Sequence, residues 1–172
     1  GNLNISDIEE LRVDGAGNTL MAAATGDNEW HITQTNRGTL NTALTFIGFD
    51  QLTGNSARDN FMVDDGADMA LIAGAGGTND RLEVQSGSGE DWEIDGLNQG
   101  VVSGRIGQFT GIENITGSAR ADSFVFTDIT AAISGLIDGA ESGQSNDTRI
   151  DTLDVSVLTA GVVVELGPDA LL

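Results

Sequence analysis

Acidic residues recur at one position of the sequence pattern, two residues before a large apolar side chain. These pairs are Asp59 with Phe61, Asp80 with Leu82, Asp122 with Phe124, and Asp151 with Leu153. Carboxylates held one strand spacing apart repel each other at neutral pH unless a cation lies between them or one is protonated. Calcium takes several oxygen ligands at roughly 2.3 to 2.6 Å, which stacked aspartates and turn carbonyls can supply. We therefore predict calcium at Asp59, Asp80, Asp122, Asp147 and Asp151. The alternative is that these acids only form turns, because Asp readily bonds its own backbone.

Composition excludes several other kinds of chemistry. The 172 residues include 27 Asp and Glu against seven Arg and no Lys, which gives a formal charge of −20. Such a chain has no basic patch for nucleic acid or an anionic membrane surface, and it has no apolar run near the 18 or so residues of a membrane span. Cysteine is absent, which excludes disulfides, thiolate metal sites and Cys nucleophiles. One histidine, His31, leaves little room for a Ser-His-Asp relay.

The elements that must position the acids are indicated by an internal repeat. The segment from Trp30 to Gly38 returns as the segment from Trp92 to Gly100, at an offset of 62. The segment 49–61 returns as 112–124, at an offset of 63. Two long matches in the same order indicate duplication of a 62- to 63-residue unit.

A shorter period lies inside this unit. An aliphatic residue recurs about every 21 residues, and in most cases a glycine follows it two positions later. These residues are Val13, Ile32, Leu52, Ile72, Ile94, Ile115 and Ile137. Two further apolar series keep the same step, and Gly, Asn, Asp and Ser lie between them, as is typical of short strands joined by turns. We predict an all-β fold: a parallel β-helix, or β-solenoid, with about 21 residues and three short strands per coil, and three coils per 62- to 63-residue repeat.

This architecture makes specific demands on the core. Parallel strands one coil apart would stack Ile72, Ile94 and Ile115 as neighbours, and Leu82 would lie between Phe61 and Val102. A β-sandwich is the alternative, although it has no reason to hold one register over six coils. Trp30 and Trp92 are expected in the core rather than exposed as sugar-stacking platforms, and Asn36 and Asn98 are expected to form turns. The whole of 1–172 is interpreted as one solenoid segment, a fragment of a longer repetitive protein.

Two turns resemble a known calcium-binding motif. The stretches Gly15–Leu20 and Gly74–Leu82 resemble the Gly-Gly-x-Gly-x-Asp-x-Leu nonapeptide of secreted repeats-in-toxin proteins, which bind calcium between successive turns. Both depart from it, since the first lacks the aspartate and the second has one residue too many. The resemblance implies calcium as a possible cofactor.

The wider pattern resembles a second family. Segments such as Trp92-Glu-Ile, Phe109-Thr-Gly-Ile-Glu-Asn-Ile-Thr-Gly-Ser, Asp122-Ser-Phe-Val-Phe and Asp151-Thr-Leu-Asp-Val-Ser resemble the repeats of large secreted bacterial surface proteins of the haemagglutinin-like adhesin type. The resemblance covers nearly the whole chain. It implies display outside the cell, secreted or on the bacterial surface, as a stalk or adhesive rod, but it does not imply a receptor. The partners that we expect are neighbouring repeats of the same chain and glycans or proteins on the surface of a host or neighbouring cell.

Three functions follow from these observations. The first is a non-enzymatic structural or adhesive module, supported by repetition and by an acidic surface suited to saline surroundings. The others are a carbohydrate-binding module and a polysaccharide-active enzyme, since parallel β-helices also carry such activities. An enzyme would need a place that breaks the repeat. The loop from Glu141 to Asp151, with Arg149 and Asp147, is the candidate, but its acidity would repel an anionic polymer.

Overall fold

The computed structural model describes residues 7–140, 150–159 and 161–163. These residues form strands and turns and contain no helix. The sixteen strands, in chain order, are β1 Glu10–Arg12, β2 Thr19–Met21, β3 Asn28–Gln34, β4 Arg37–Leu40, β5 Leu44–Ile47, β6 Gln51–Thr53, β7 Asp59–Val63, β8 Leu71–Ala73, β9 Arg81–Val84, β10 Asp91–Gly96, β11 Gln99–Val102, β12 Ile106–Thr110, β13 Asn114–Thr116, β14 Ser123–Phe126, β15 Ile137–Asp138 and β16 Thr152–Asp154.

The strands belong to two eight-stranded sheets, and neither sheet is closed. Sheet A has the order β1-β5-β4-β3-β7-β9-β13-β15, and sheet B has the order β16-β14-β10-β11-β12-β8-β6-β2. Both sheets are mostly parallel, and the chain passes from one to the other at each connection outside two antiparallel stretches. Strands that are successive in one sheet therefore come from successive passes of the chain.

The two antiparallel stretches correct the prediction of three parallel strands per coil. β3, β4 and β5 form an antiparallel meander within sheet A, and β10, β11 and β12 form another within sheet B. Each first turn has two residues and ends on an asparagine with positive φ, Asn36 at 57° and Asn98 at 54°. Two-residue turns with such an asparagine reverse the chain. Asn36 and Asn98 thus lie in turns, as predicted, but the reversal of the chain at these turns was not predicted.

The predicted stacking of the apolar residues is correct only in part. Ile72 pairs with Leu52 and Phe109 in sheet B, whereas Ile115 pairs with Leu82 and Ile137 in sheet A. Ile94 lies in a different part of sheet B, so Ile72, Ile94 and Ile115 are not neighbours. Leu82 lies beside Phe61, as predicted, but its other neighbour is Ile115 rather than Val102.

The strand pairing of the first unit is repeated in the second unit, but equivalent strands of the two units lie in opposite sheets. The strands β1 to β7 correspond in order to β8 to β14: Trp30 pairs with Phe61, and Trp92 pairs with Phe124 in the same way. One unit visits the sheets five times, because its meander counts as a single visit. Five is odd, so the next unit starts in the opposite sheet. Each strand of sheet A from β1 to β13 thus has its equivalent in sheet B.

One hydrophobic core joins the two sheets. Trp30 and Trp92 are 1% and 0% exposed, which confirms their prediction as core residues. Their rings stack on those of Phe61 and Phe124 at centroid distances of 5.5 and 5.6 Å. Stacking of equivalent aromatic pairs in the two units fixes the same register in each sheet.

Candidate functional site

The predicted acids lie in two rows, each built at the start of neighbouring parallel strands. The first carboxylate row comprises Asp59, Asp80 and Glu113, and the second comprises Asp122 and Asp151. In the first row the Asp59 N–H donates to Asp80 Oδ1 (2.8 Å), and the Asp80 N–H donates to Glu113 Oε2 (2.9 Å). In the second the Asp122 N–H donates to Asp151 Oδ1 (2.7 Å). The structure therefore brings Asp59 next to Asp80 and Asp122 next to Asp151, as the period predicts.

Asp59 is fully buried, and both of its carboxylate oxygens accept N–H groups. Oδ1 accepts from Asn28 Nδ2 (2.8 Å) and from Trp30 Nε1 (3.1 Å), while Oδ2 accepts from the Asn55 backbone N–H (2.7 Å). The last bond folds the side chain back over the turn that precedes β7. A Cβ at Gly54 would overlap Asp59 Oδ2, so the turn needs glycine there.

Asp122 is the equivalent residue in the second unit and has a similar environment. Its Oδ1 accepts from the Glu90 N–H (2.6 Å), and its Oδ2 accepts from the Ser118 N–H (2.8 Å). Burial raises the pKa of Asp122, while the bonds from Glu90 and Ser118 oppose that rise. The common motif is a glycine five residues before the aspartate, Gly54 before Asp59 and Gly117 before Asp122.

Asp80 differs from both, because one of its oxygens has no hydrogen-bond donor. Its side chain is 0% exposed, Oδ1 accepts the Asp59 N–H, and Oδ2 is buried without a partner. Burial, together with the negative charges of Glu113 and Asp59, raises the pKa of Asp80 to about 6, while the backbone N–H groups of Asp59 and Gly77 limit the rise. Asp80 is therefore the least well compensated acid of the first carboxylate row.

Asp151 and the loop before it complete the predicted set. Asp151 is half-buried and crowds the backbone of Gly139, where a Cβ would overlap Asp151 Oδ2. Asp147, with Glu141 and Arg149 of the predicted loop, lies outside the described residues. The loop as an enzymatic site therefore stays a prediction.

The N–H groups that contact the aspartate oxygens affect whether these turns can bind calcium. In the part of the chain that the structure describes, no group of three or more His, Cys, Asp or Glu side chains is arranged to hold a metal ion. N–H groups point at both oxygens of Asp59 and of Asp122, where a cation would need lone pairs. Asp80 Oδ2 carries no such donor. Calcium at Asp59, Asp80, Asp122, Asp147 and Asp151 stays a prediction, and Asp80 Oδ2 is the buried oxygen of the first carboxylate row that has no hydrogen-bond partner.

Several polar residues of the rows were not singled out from the sequence. Asn28 and Glu90 occupy equivalent positions and donate to Asp59 and Asp122, and both are buried. Glu113 joins Asp80 to Asn98, whose Nδ2 donates to Glu113 Oε1 (3.0 Å). The offset of 62 that relates Asn28 to Glu90 is the signal that identifies them, since equivalent buried positions carry polar side chains in both units.

A polar groove crosses the outer face of sheet A. Asn60, Arg81 and Asn114 lie side by side on β7, β9 and β13 and line a cleft of about 290 Å³. Arg81 is held by Thr116 Oγ1 (3.0 Å) and by Glu83 (3.0 Å). The groove is lined by amide and guanidinium groups that already donate within the protein, Asn60 Nδ2 to Glu29 (2.7 Å) and Asn114 Nδ2 to Asn79 (3.1 Å). No tryptophan is exposed on this face, because both tryptophans are in the core.

Comparison of the chain with protein-family models, with curated proteins and with solved structures gave no match. Within the described residues, no helix is long and apolar enough to cross a membrane.

Proposed function

We propose that the chain is a non-enzymatic structural or adhesive module, a rod-like segment of a secreted or surface-displayed bacterial protein. The observation that supports this most directly is the strand-by-strand repetition of pairing from one unit to the next. Repetition of this kind extends a molecule in one dimension by adding nearest-neighbour contacts. Its partners would be neighbouring repeats of the same chain and glycans or proteins on adjacent cell surfaces.

The proposed rod is a solenoid with two strands per coil. Leu52 pairs with Ile72, and Phe61 pairs with Leu82, so the residue numbers of neighbouring parallel strands differ by 20 and 21. One strand in each sheet accounts for that step, which is the period of the apolar residues in the sequence. Each meander adds two strands to a coil without changing the direction of winding.

The buried acids support a structural role rather than catalysis. The carboxylates of Asp59 and Asp122 accept N–H groups from their own turns and from a neighbouring pass of the chain. A buried acceptor with several N–H partners fixes the approach of two turns. Asp59 and Asp122 are 0% and 1% exposed, so neither carboxylate is accessible to a substrate.

A carbohydrate-binding module is the second candidate, and the groove with Asn60, Arg81 and Asn114 is the observation that favours it. Amide and guanidinium groups donate hydrogen bonds to sugar hydroxyls. Binding of a neutral polysaccharide that is lost in Asn60→Ala and Asn114→Ala would support this function over a purely structural one.

Insertion of one further unit tests the structural proposal. A copy of residues 54–116 placed after Thr116 joins Thr116 to glycine, as Thr53 joins Gly54 in the parent chain. We expect a folded, helix-free protein whose longest dimension in small-angle scattering grows by about 17 Å, because seven strands shared by two sheets add about 3.5 spacings of about 4.8 Å.

The matched control contains the same inserted sequence with its two parts exchanged, so that 86–116 precede 54–85. Its composition is identical, but its strands meet the wrong neighbours. We expect it to unfold at lower temperature and to lack the elongated shape. Equal melting temperatures and equal longest dimensions for the two insertion variants would contradict the proposal that the chain is a rod of repeated units.

A further inference from the structure

A cleft of about 480 Å³ lies between turns of the two meanders. Asn36, in the turn from β3 to β4, lines one part of it, and residues 103–105, in the turn from β11 to β12, line another. Asp50 and Asp68, which precede β6 and β8, also line it. Small-molecule sites occupy about 300 to 1,000 Å³, so the cleft is large enough for a small organic ligand.

The second unit shows how the residue equivalent to Asn36 is held. Asn98 Nδ2 donates to Glu113 Oε1 (3.0 Å) and to Ser134 Oγ (3.0 Å). The Ser134 N–H in turn donates to Asn98 Oδ1 (2.8 Å). Three hydrogen bonds therefore close the amide group of Asn98 against neighbouring passes of the chain.

Backbone pairing identifies the residues that take the same places in the first unit. The Asn36 N–H donates to the Asp68 carbonyl (3.3 Å), and the Asn98 N–H donates to the Ala132 carbonyl (2.7 Å). Asp68 is therefore equivalent to Ala132. The residues two positions after them are equivalent as well.

The residues around Asn36 are shorter than their equivalents. Asp50 takes the place of Glu113, at the offset of 63, and is one methylene shorter. Ala70 takes the place of Ser134 and has no hydroxyl. Within the described residues, none of the three bonds of the second unit has an equivalent at Asn36. The amide group of Asn36 is therefore available to a ligand in the cleft that it lines.

The same place has gained a carboxylate, because Asp68 stands where the second unit has alanine. Asp68 Oδ2 accepts the hydroxyl of Thr35 (2.6 Å), which fixes the orientation of the carboxylate. Asp50 is fixed in a similar way, since its Oδ2 accepts the Gly17 N–H (2.8 Å), and its Oδ1 is buried without a partner. The Gly17 N–H is also the main reason that the pKa of Asp50 is lowered, so this acid is ionised at neutral pH.

Charge excludes an anionic ligand. Arg105 is the cation among the residues that line the cleft, and its Nη2 donates to the Asp64 carbonyl (2.7 Å). Its other nitrogens lie 3.8 Å from Asp65 and 3.9 Å from Glu90. Acceptors of the protein thus surround the guanidinium, while the two acids of the cleft repel an anion. A single metal ion, with ligands at about 2.3 to 2.6 Å, would leave most of the cleft unfilled.

A pair of neighbouring hydroxyl groups matches the polar groups of the cleft. A hydroxyl donates one hydrogen bond and accepts others, a carboxylate only accepts, and an amide does both. One hydroxyl can therefore donate to Asp68 while the next accepts from Asn36 Nδ2. Ala70 and Val101 add apolar lining for the carbon face of a sugar ring. Few polar groups on an apolar lining are typical of small-molecule sites.

We propose that this cleft binds a neutral sugar through two adjacent hydroxyl groups, with Asn36 as the donor and Asp68 as the acceptor. The inference rests on the carbohydrate-binding candidate function and deepens it by naming a second site and the class of sugar. It requires neither the groove on sheet A nor the modular rod.

Conversion of the cleft to the arrangement of the second unit tests the proposal. Asp50→Glu combined with Ala70→Ser supplies the two partners that hold the amide of Asn98. The probes are the methyl glycosides of glucose, galactose and mannose, each titrated to about 100 mM while NMR follows the side-chain amide signals of the labelled chain.

At least one glycoside should shift the Asn36 amide signal with a Kd of about 1 to 10 mM, as is usual for a ligand of this size. The double variant should bind at least about tenfold more weakly and melt no lower than the parent, because it gains hydrogen bonds. Asp68→Ala should weaken binding to a similar extent, since it removes the acceptor but keeps the backbone of the turn. Asn60→Ala combined with Asn114→Ala, in the groove on sheet A, is the control and should bind as the parent does.

Four results would overturn the proposal. They are an Asn36 signal that none of the three glycosides shifts, equal affinity in the double variant and the parent, equal or tighter binding of methyl glucuronide, and binding that is lost only in the control. The last result would assign sugar binding to the groove on sheet A and keep the carbohydrate-binding candidate. The outcome of the unit insertion is independent of all four.

Discussion

Asp59 and Asp122 occupy equivalent places in the two units, and each ties a turn to the neighbouring pass of the chain. Their carboxylates accept the N–H of the residue four positions earlier, Asn55 and Ser118 respectively. Turn formation and burial are thus combined in one side chain. Asp80 has the same position on the next strand but lacks a donor at Oδ2, so equivalent residues differ in how well they are compensated.

Replacement of Asp59 by alanine should be costly. Asp59→Ala leaves the Asn55 N–H, the Trp30 indole N–H and the Asn28 amide without their acceptor in a buried turn. Unsatisfied buried donors cost about 1 to 3 kcal/mol each, partly offset here by removal of a buried charge, so we expect a loss of about 3 kcal/mol in urea unfolding followed by tryptophan fluorescence. Asp128→Ala, in an exposed turn, should lose at most about 1 kcal/mol. Similar losses in the two variants would contradict the role given to Asp59.

Asp80 should make stability depend on pH in a direction opposite to most acids. Its pKa is raised from 3.8 to about 6, mainly by burial, so the folded chain binds a proton more readily than the unfolded chain between these values. The contribution of Asp80 to the free energy of unfolding should therefore rise as pH falls from about 6 toward 4, since in this range the folded chain binds a proton that the unfolded chain binds only near pH 3.8.

Asp80→Asn isolates this contribution. The variant should be more stable than the parent at pH 7.5 by about 1 kcal/mol, allowing for partial solvent screening, and should match it near pH 4. Melting temperatures of both proteins across this range provide the measurement. The pKa values of three other acids are lowered, so these acids make the folded chain less stable as pH falls: Asp50, Asp128 and Asp154. They are present in both proteins, so their contributions cancel in the difference in stability. A constant difference at all pH values would show that Asp80 is not the titrating group.

Calcium is tested at the same residue. We expect millimolar calcium at pH 7.5 to raise the melting temperature, because a cation near Asp80 Oδ2 relieves repulsion from Asp59 and Glu113 and binds the folded chain alone. The gain should disappear in Asp80→Asn and persist in Asp128→Ala. No calorimetric heat and no change in melting temperature would assign the acids to turn formation alone.

At the scale of elements, each meander depends on a central glycine. A Cβ at Gly100 of β11 would overlap the Glu93 carbonyl oxygen and lie 2.9 Å from Cζ of Phe109, and Gly38 of β4 is equally crowded by His31 and Phe46. The aromatic ring of the third strand covers the glycine of the second strand. The middle strand therefore has no room for a larger side chain at this position.

Gly100→Ala should destabilise the fold by about 2 kcal/mol or more, because the ring of Phe109 and the backbone of β10 must both move. Gly76→Ala is the matched control, since the nearest atom to its Cβ, Ser56 Cα, is 4.0 Å away. The control should stay within about 0.5 kcal/mol of the parent. Chemical unfolding of both variants measures the difference, and equal stabilities would show that the meander tolerates a side chain there.

At the scale of the whole molecule, each unit passes between the sheets an odd number of times, which determines the side on which equivalent surface residues lie. Residues that are equivalent in sequence lie on opposite sheets, as Asn60 in sheet A and Ser123 in sheet B do. The groove with Asn60, Arg81 and Asn114 therefore belongs to one side of the molecule. In the proposed rod, equivalent surfaces would alternate between the two sides from unit to unit.

Four features follow from the sequence alone: the all-β class, the 62- to 63-residue unit, the burial of Trp30 and Trp92, and the adjacency of Asp59 to Asp80. These features depend on side-chain periodicity and on the order of equivalent residues, which a repeat displays directly. Three features required the three-dimensional structure: the antiparallel meanders, the exchange of sheets, and the second neighbour of Leu82. Alternation of apolar residues has the same period in parallel and antiparallel strands, so it carries no information about direction. The role of each acid was decided by the N–H groups that reach it from other passes of the chain, and backbone donors leave no mark in the sequence.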